Sequence, residues 1–355
     1  MKNVDIVVYV LESTVLSGGI KNVLEQASRL TERGHEVHVF ALGEKPDWIS
    51  LNANFRRFAN YSQMLRILKT LDAFKIATWW NTAAVVMNSC DPRQGGCGIP
   101  LYLVQDIEES YYSGHPEMQE RVKLTYGFPM HLLTIAEWTE KQLAGRFGRQ
   151  ASNVSIAVDL ELFKPNRTDN YDPHRIVACN RGSQPLKGYS ITEQAVREVH
   201  RLIPQSSFVT YGVEDRLIAD IPHRHLFKPD DQAVASLFAD CGVFVQTSYH
   251  EGFGLPILEA MACGAPVVTT KAEGNEEFCR HGWNCFLADK GDTEQVTRGI
   301  VRVLSDRAFA EEIARNGRAT ALKYNWENVL QKLDAVFSET TSREGTGGTG
   351  ESEWR

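Results

Sequence analysis

The sequence predicts an α/β protein with parallel sheets, arranged in two domains. The segment 242–269 has the order apolar strand, glycine-rich turn, short helix and apolar strand, which is the order of a βαβ unit. The segment 4–42 repeats this order at the start of the chain, with a glycine pair in its turn. A length of 355 residues allows two domains of ordinary size, so we expect each segment to belong to its own domain.

Further elements follow from apolar runs and from helical spacing. Short apolar runs indicate buried parallel strands at 76–80, 101–104, 131–135, 154–158, 175–179, 207–211 and 225–227. Apolar residues or start signals at helical positions predict helices at 62–74, 137–147, 190–203, 231–239 and 324–337. Strands and helices therefore alternate along most of the chain, as parallel sheets require.

Composition and charge exclude several classes of protein. The net charge of −7 argues against a nucleic-acid-binding protein, because such proteins carry basic surfaces. The seven cysteines form an odd set without a Cys-x-x-Cys pair, which is typical of a reduced cytoplasmic protein. No apolar stretch reaches the roughly 18 residues of a membrane span, and the chain begins directly with a strand, so we expect neither a transmembrane helix nor a signal peptide.

The segment 248–268 carries the strongest functional pattern. Pro256 suits the first position of its short helix, and the free N–H groups of a helix N-terminus attract anions. Glu251 precedes this helix and Glu259 lies in its first turns, so both can face one crevice. A carboxylate repels bound phosphate, and we therefore interpret both as acceptors of hydrogen bonds from sugar hydroxyls. For either Glu alone, an ordinary solvated side chain is the alternative.

Two bases lie in the loop that follows the predicted strand 175–179. Arg181 and Lys187 have five residues between them and precede a predicted helix. A guanidinium offers a planar fork and an ammonium a point charge, and both suit a diphosphate. The spacing alone leaves open a pair of exposed surface bases.

An acidic and aromatic loop follows the predicted strand 101–104. Asp106, Glu108 and Tyr111 fall at the carboxyl end of a parallel strand, where open α/β sheets bind ligands. Carboxylates can bind hydroxyl groups and an aromatic ring can stack on a sugar, so we predict an acceptor-binding role for these three residues. The alternative is a solvated loop whose tyrosines pack on the core.

Two of these patterns resemble motifs of family 4 glycosyltransferases, which have the GT-B fold. The segment 248–268 resembles their donor-site signature, and the spacing of Arg181 and Lys187 resembles their Arg-x5-Lys pair. The resemblance extends over about residues 5–337. It implies two Rossmann-like domains that face a cleft and a C-terminal helix that returns to the N-terminal domain.

The resemblance also implies a reaction and a role for each site residue. It implies retaining transfer from a nucleoside-diphosphate sugar to a hydroxyl group, with no metal and no other cofactor. Arg181 and Lys187 would neutralise the departing diphosphate and, with Glu251 near the transferred sugar, form the predicted catalytic set. Glu259 would hold the nucleotide ribose. The predicted donor-binding residues are Gly18, Gly19, Gly252, Phe253, Gly254, Leu255, Glu259 and Lys228.

The segment 104–127 resembles a subset of the family that carries Gln-Asp-x-Glu, including rhamnosyltransferases of bacterial surface polysaccharides. Many other members have a His at the end of this strand, where this chain has Gln105. That departure argues against a His-based contact with the donor sugar.

The resemblance divides the chain at a polar segment that starts at residue 166. We assign 1–165 and the returning helix 323–338 to an acceptor domain, and 166–322 to a nucleotide-sugar domain. The remaining residues, 339–355, are rich in Gly, Thr, Ser and Glu, which is typical of a disordered tail.

The expected partners are a nucleotide-sugar donor and a carbohydrate, lipid-linked or small-molecule acceptor, with no nucleic acid. A cytoplasmic location is expected, and a peripheral contact with the inner face of the membrane is compatible with it. A GT-B sugar-nucleotide epimerase is one alternative, but the sequence has no matched acid and base residues for it. A non-catalytic GT-B subunit is another, and the intact motif residues argue against it.

Overall fold

The computed structural model describes residues 5–214, 218 and 220–346. The chain folds into two compact units, which are Met1–Ile156 together with Trp326–Arg355, and Ala157–Asn325. The first boundary falls before the predicted residue 165, because the intervening segment packs with the second unit. In that segment the backbone N–H of Val158 donates to the carbonyl of Tyr324 at 3.0 Å, and Phe163 contacts Phe238.

The first unit contains a seven-stranded sheet in which all neighbouring strands are parallel. Its strands are β1 (Ile6–Leu11), β2 (Glu36–Ala41), β3 (Asn54–Arg57), β4 (Phe74–Ala77), β5 (Ile99–Val104), β6 (His131–Thr134) and β7 (Ala151–Asn153). The helices in its N-terminal segment are α1 (Gly18–Glu32), α2 (Tyr61–Leu68), α3 (Trp80–Cys90), α4 (Pro116–Tyr126) and α5 (Glu137–Phe147). The strand order is β3-β2-β1-β4-β5-β6-β7. The last strand lies three residues earlier than the predicted 154–158, because the run Val154–Val158 continues the chain toward the second unit.

The second unit contains a six-stranded parallel sheet of order β10-β9-β8-β11-β12-β13. Its strands are β8 (Asp172–Cys179), β9 (Ser207–Gly212), β10 (His223–Phe227), β11 (Cys241–Gln246), β12 (Val267–Thr270) and β13 (Phe286–Ala288). Its helices are α6 (Tyr189–Leu202), α7 (Asp231–Ala239), α8 (Leu255–Ala262), α9 (Thr293–Ser305) and α10 (Arg307–Ala321). The predicted α/β class with two parallel sheets is confirmed.

Each sheet is covered by helices that bury an apolar core. In the first unit the central strand β1 is apolar along its length, and Val7 to Leu11 are fully buried. In the second unit Val243 and Val245 of β11, one of the two central strands of that sheet, are buried beneath α6 and α9. Near-continuous apolar strands are expected where a parallel sheet is covered on both faces.

The last helix, α11 (Trp326–Thr346), belongs to the first unit, as predicted. Asp334 accepts hydrogen bonds from Arg33 Nε at 2.8 Å and from His35 Nε2 at 3.2 Å. Phe337 is buried and stacks on Phe74 of β4, with ring centroids 4.5 Å apart. An ionic contact and an aromatic contact therefore fix this helix to the sheet.

The predicted disordered tail is wrong for residues 339–346, which continue α11. The hydroxyl groups of Thr340, Thr341 and Ser342 each donate to a carbonyl four residues earlier. These bonds satisfy the polar side chains within the helix, so a Ser/Thr run does not end it. The remaining predicted tail, 347–355, lies outside the described residues.

Among the described residues, none of the helices combines the length and the hydropathy that crossing a bilayer requires.

The packing of α11 is testable through its buried aromatic residue. Replacing Phe337 by Ala removes a buried ring and leaves a cavity against Phe74, which should lower the free energy of unfolding by about 3–5 kcal/mol. Glu339 is exposed on the same helix, and Glu339→Ala should change it by less than about 0.5 kcal/mol. Urea unfolding measures both. Equal effects of the two substitutions would show that α11 does not depend on this contact.

Candidate active site

The predicted catalytic residues lie at the carboxyl edge of the second sheet. Strands β8 and β11 are neighbours in this sheet, so the loops that follow them leave at the same edge. Arg181 and Lys187 lie in the first loop and Glu251 in the second. The three side chains line one recess of about 20 Å³, which is room for a single water molecule. The other lining residues are Cys179, Tyr189, Thr192, Val245, Gln246, Thr247 and Ser248.

Close backbone packing holds the two loops together. Gly188 has φ of +59°, and a Cβ atom there would lie 2.0 Å from the carbonyl oxygen of Thr247. The hydroxyl of Thr247 donates to the carbonyl of Gly188 at 2.8 Å, and the N–H of Tyr249 donates to the carbonyl of Leu186 at 2.8 Å. Only glycine satisfies both the left-handed conformation and the short separation. This contact places Lys187, one residue earlier, against the second loop.

Lys187 and Glu251 form a buried ion pair. Lys187 Nζ lies 2.9 Å from Glu251 Oε2, and the two side chains are 14% and 9% exposed. The other oxygen of Glu251 accepts hydrogen bonds from Ser248 Oγ at 2.6 Å and from Gln246 Nε2 at 2.9 Å. Three donors therefore fix the carboxylate in one orientation.

The charges of this recess determine its ionisation. Burial is the largest influence on the pKa of Glu251 and raises it, but Lys187, Arg181 and the hydrogen bond from Ser248 together outweigh burial and lower the pKa. The stability that Glu251 contributes is thus complete above its ordinary pKa of 4.5 and is lost as the pH falls through the lower folded value. Cys179, Glu251 and Tyr211 raise the pKa of Arg181, against the opposing effect of burial. Two cations and one anion are present at neutral pH, which leaves a net positive charge suited to an anionic ligand.

Helix α8 begins at the same sheet edge. Gly254 precedes its first residue with φ of +100°, and Gly252 lies against Gly274, whose added Cβ atom would be 2.2 Å from the Gly252 carbonyl oxygen. Gly254 therefore adopts a left-handed conformation that favours glycine, and the close backbone approach to Gly252 requires glycine at position 274. Glu259 is buried in the second turn of α8. It is not among the residues that line the recess with Arg181 and Lys187.

Two residues of the predicted donor set, Phe253 and Leu255, have buried side chains. Phe253 is buried and stacks on Phe278 at 5.1 Å, so its ring packs the core beside α8 and is not available to a ligand. Leu255 is buried as the first residue of α8. The apolar character of both positions indicated core packing from the start, since buried rings and leucines are core residues in most proteins.

Lys228 lies apart from the other predicted donor residues. It follows β10, has φ of +46° and is exposed, with Nζ 5.2 Å from the ring centre of Phe227. It does not line the recess. The structure thus brings together the three predicted catalytic residues and leaves Lys228 at the edge of the sheet, on its outermost strand.

The glycine pair of the first unit forms the first turn of α1, whose N-terminus is capped by Ser17. An added Cβ atom at Gly19 would lie 3.2 Å from Nε2 of Gln105, whereas Gly18 has open space around it. The oxygen Oε1 of Gln105 accepts a hydrogen bond from Asn22 Nδ2 at 3.2 Å. Gln105, which stands where many family members have His, is therefore held against this turn.

The structure also corrects the acceptor role of Glu108. This side chain is only 1% exposed, and its Oε2 accepts from the backbone N–H of Trp80 at 2.7 Å and from the hydroxyl of Tyr102 at 2.9 Å. Its Oε1 has no hydrogen-bond partner within the part of the chain that the structure describes. Burial, which outweighs these two hydrogen bonds, raises the pKa of Glu108 well above its ordinary value, and Asp106 and Glu109 raise it further. Glu108 is a buried structural group whose carboxyl is protonated more readily in the folded protein than in water.

Of the other two predicted acceptor residues, Tyr111 is exposed and Asp106 is buried. Asp106 Oδ1 accepts from the backbone N–H of Ile107 at 2.7 Å, and its Oδ2 accepts from the hydroxyl of Tyr111 at 2.6 Å. Tyr111 is 45% exposed. Tyr111 is thus accessible, and Asp106 fixes its hydroxyl.

Within the described residues, no group of three or more His, Cys, Asp and Glu side chains has a geometry that could hold a metal ion. His223 and His225, which the sequence places close together, both bond the hydroxyl of Thr210.

Gln246 and Ser248 are functional candidates that sequence reasoning missed. Both donate to Glu251 and both line the recess. Their position at the carboxyl end of β11 was the available signal, because polar residues that end an apolar strand commonly face a ligand site.

The buried pair Lys187–Glu251 should respond to substitution as a unit. Lys187→Ala leaves a buried carboxylate without its closest cation and should lower the free energy of unfolding by about 3 kcal/mol. Adding Glu251→Gln should recover most of this loss, because the unpaired charge is gone. Lys141 forms an exposed pair with Glu137 at 3.0 Å, and Lys141→Ala should cost no more than about 0.5 kcal/mol. Urea unfolding of the wild type, Lys187→Ala, Glu251→Gln, the double variant and Lys141→Ala checks this, and strictly additive losses at positions 187 and 251 would contradict the coupling.

The raised pKa of Glu108 predicts a pH dependence of stability. Its folded pKa lies above the unfolded value, so the folded state holds the extra proton and wild-type stability should fall as the pH rises from 4.5. Glu108→Gln should remove this part of the slope and keep an oxygen that accepts from Trp80 and Tyr102. Urea unfolding at several pH values measures the slope. The exposed Glu117 is the control, since Glu117→Gln should leave the slope unchanged. An unchanged slope in the Glu108 variant would show that Glu108 is ionised.

The sequence is similar to a glycosyltransferase family model and to known glycosyltransferases. Residues 183–320 match the family model described as Glycosyl transferases group 1. The chain is 29% identical over 245 residues to the MMP alpha-(1->4)-mannosyltransferase of Mycolicibacterium hassiacum, which covers 65% of this chain and 58% of that protein. It is 37% identical over 105 residues to O-antigen chain mannosyltransferase B of Escherichia coli. This aligned region covers 30% of this chain and 27% of that protein. The chain thus spans about six tenths of the first relative's length and less of the second's.

Solved structures resemble the chain over nearly its whole length. Sucrose-phosphate synthase from Thermosynechococcus elongatus superposes with a TM-score of 0.78 at 18% identity and covers 96% of this chain and 100% of that one. Anabaena HepE in complex with UDP-glucose superposes with a TM-score of 0.77 at 19% identity, with the same coverage. The chain therefore has the GT-B fold, and its second unit carries a glycosyltransferase group 1 domain.

Proposed function

We propose that the protein is a retaining family 4 glycosyltransferase. It moves a hexose or deoxyhexose from a nucleoside-diphosphate sugar to a hydroxyl group, in the synthesis of a cell-surface polysaccharide or glycoconjugate. The observation that carries this proposal is the buried Lys187–Glu251 pair beside Arg181 at the carboxyl edge of the second sheet. The similarity to mannosyltransferases and to a protein that binds UDP-glucose supports it.

The main task of the recess is electrostatic. Arg181 and Lys187 stabilise the negative charge that develops on the diphosphate as the bond to the sugar breaks. Because both cations are held in place before the donor arrives, little reorganisation is needed in the transition state. The leaving phosphate oxygen takes the proton of the acceptor hydroxyl, so the proposal requires no separate base. With two fixed cations at the diphosphate, it requires no metal ion or other cofactor.

Glu251 has two tasks in this proposal. It keeps Lys187 in position at 2.9 Å, and its carboxylate accepts a hydrogen bond from a hydroxyl of the transferred sugar. Its lowered pKa keeps it ionised at neutral pH, as both tasks require. Gln246 and Ser248 act through Glu251 as positioning residues.

The nucleotide binds along α8 and the turn before it. The N–H group of Leu255 at the start of α8 donates to phosphate, since Pro256 has none and those of Ile257 and Leu258 bond the Gly254 carbonyl. Gly252 and Gly254 allow the backbone to approach the phosphate. Glu259 accepts hydrogen bonds from the ribose hydroxyls, and Lys228 contacts the base region.

The relatives and the sequence motif point to different sugars. The named relatives are mannosyltransferases, whereas the Gln-Asp-x-Glu loop favours a deoxyhexose such as rhamnose. The acceptor is a carbohydrate, a lipid-linked molecule or a small molecule, and the protein works in the cytoplasm with a peripheral contact to the membrane. Incubation with GDP-mannose, UDP-glucose and dTDP-rhamnose in the presence of a chelator separates the candidate functions. A transferase releases nucleoside diphosphate, an epimerase changes the sugar nucleotide, and a non-catalytic subunit does neither.

The two glutamates should differ in calorimetry with a free nucleoside diphosphate. Glu259→Gln keeps an acceptor oxygen but removes the charge at the ribose, which should weaken binding by about 1–2 kcal/mol. Glu251→Gln should keep or increase affinity, because Lys187 loses its competing partner, and should depress sugar transfer.

The control for this comparison is Glu198→Gln on the exposed face of α6, which should change neither nucleotide binding nor transfer. Loss of nucleotide affinity in Glu251→Gln, with normal affinity in Glu259→Gln, would reverse the two assignments.

A further inference from the structure

The first unit presents a second group of ligand-type side chains, distinct from the donor recess. We call it the edge cluster, and it consists of Glu12, Trp79, Asn81, Asp106 and Tyr111. All five follow the carboxyl ends of three adjacent strands, β1, β4 and β5. Glu12 and Trp79 follow residues that are paired across β1 and β4, since Val10 pairs with Ala77. The cluster therefore spans neighbouring strands about 4.8 Å apart, which is the scale of one sugar ring.

Adjacent tryptophans at the start of α3 have different environments. Trp80 is buried, and its Nε1 donates to the hydroxyl of Tyr112 at 2.9 Å. Trp79 is partly exposed, and its ring lies 5.9 Å from that of Tyr111 at an angle of 50°. Trp80 belongs to the core of the first unit, and Trp79 packs against that core while remaining partly exposed at the sheet edge. With Tyr111, it forms an accessible aromatic surface.

A carboxylate and an amide follow the ends of β1 and β4 at the same sheet edge. Asn81 Nδ2 donates to both oxygens of Glu12, at 2.9 and 3.1 Å. The carboxylate has about four lone-pair sites, and Asn81 Oδ1 is a further acceptor, so the pair can bind two hydroxyl groups. Tyr61 lies next to Glu12, and burial, followed by the charge of Glu12, raises the pKa of the Tyr61 phenol.

We propose that the edge cluster is a binding subsite for a pyranoside and that the acceptor is a carbohydrate. The apolar C–H face of the sugar stacks on Trp79, and two of its hydroxyl groups donate to the Glu12–Asn81 pair. Tyr111, fixed by Asp106 at 2.6 Å, borders the ring. This inference rests on the proposed function, because it names the class of acceptor that the transferase uses.

The chemistry of the cluster favours a sugar over other acceptors. A pyranose combines an apolar face with several adjacent hydroxyl groups, which matches an aromatic ring beside hydrogen-bond acceptors. The cluster contains two carboxylates and no base, so a phosphorylated acceptor would be repelled. A lipid tail would desolvate the carboxylates without compensating hydrogen bonds.

Binding of simple glycosides tests this inference. The probes are methyl α-D-mannopyranoside, methyl α-L-rhamnopyranoside and methyl α-D-glucopyranoside, titrated against the full chain and followed by saturation-transfer NMR. At least one should bind the wild-type protein. Trp79→Leu and Glu12→Gln should each weaken that binding by about tenfold or more, and Trp79→Phe should have an intermediate effect. Thermal melts confirm that each variant is folded.

Matched controls are Trp283→Leu, which removes an exposed tryptophan from the second unit, and Glu117→Gln, which removes an exposed carboxylate from α4. Both should bind the glycoside as the wild type does. The inference is overturned if no probe binds at about 50 mM. It is also overturned if Trp79→Leu and Glu12→Gln bind normally, or if glycerol 3-phosphate binds more tightly than every glycoside. Calorimetry of the wild type with a nucleoside diphosphate tests the proposed function separately, since that ligand belongs to the second unit.

Discussion

The buried pair between Lys187 and Glu251 is the interaction on which the second unit's site depends. Removing two charges from water is costly, and a buried ion pair is weak evidence for stability alone. Here the carboxylate has three donors and two nearby cations, so its desolvation is compensated. The result is a rigid arrangement with an excess of positive charge. An anionic ligand meets cations that are already oriented, which is the condition for electrostatic catalysis.

This pair depends in turn on a backbone contact. Gly188 and Thr247 approach so closely that any side chain at position 188 would force the two loops apart. Lys187 would then move away from Glu251, although neither charged residue had changed. A residue without functional atoms therefore controls the distance between two residues that have them.

Much of the fold was predictable because its signals are local. Apolar runs located most strands, and the Gly-Phe-Gly-Leu-Pro turn located α8 to within one residue. Strand β3 was not predicted, because Asn-Phe-Arg-Arg is a partly exposed edge strand without an apolar run. The Ser/Thr run of α11 was misjudged because the bonds that satisfy its hydroxyl groups form only in the helix.

The candidate site was predictable in part for the same reason. The motif spacing identified Arg181, Lys187 and Glu251, and the structure brings them together. Whether a carboxylate faces solvent or the core depends on packing from distant segments. The motif spacing does not reveal that packing. Glu108 is buried by Trp80, Tyr102 and Tyr126, which lie outside the acidic loop. Glu12 and Asn81 lie 69 positions apart and meet only through the pairing of β1 with β4.

The attachment of α11 makes the first unit discontinuous in sequence. Arg33, His35 and Phe74 find their partners Asp334 and Phe337 only after the whole second unit has been synthesised. A fragment that ends at residue 156 would expose a stacked aromatic face and lose an ionic contact. Producing the isolated first unit would therefore require a rearranged gene, which encodes a linker that joins α11 to the rest of that unit. On the ribosome, the second unit can complete its fold before the first, which reverses the order in which their first strands emerge.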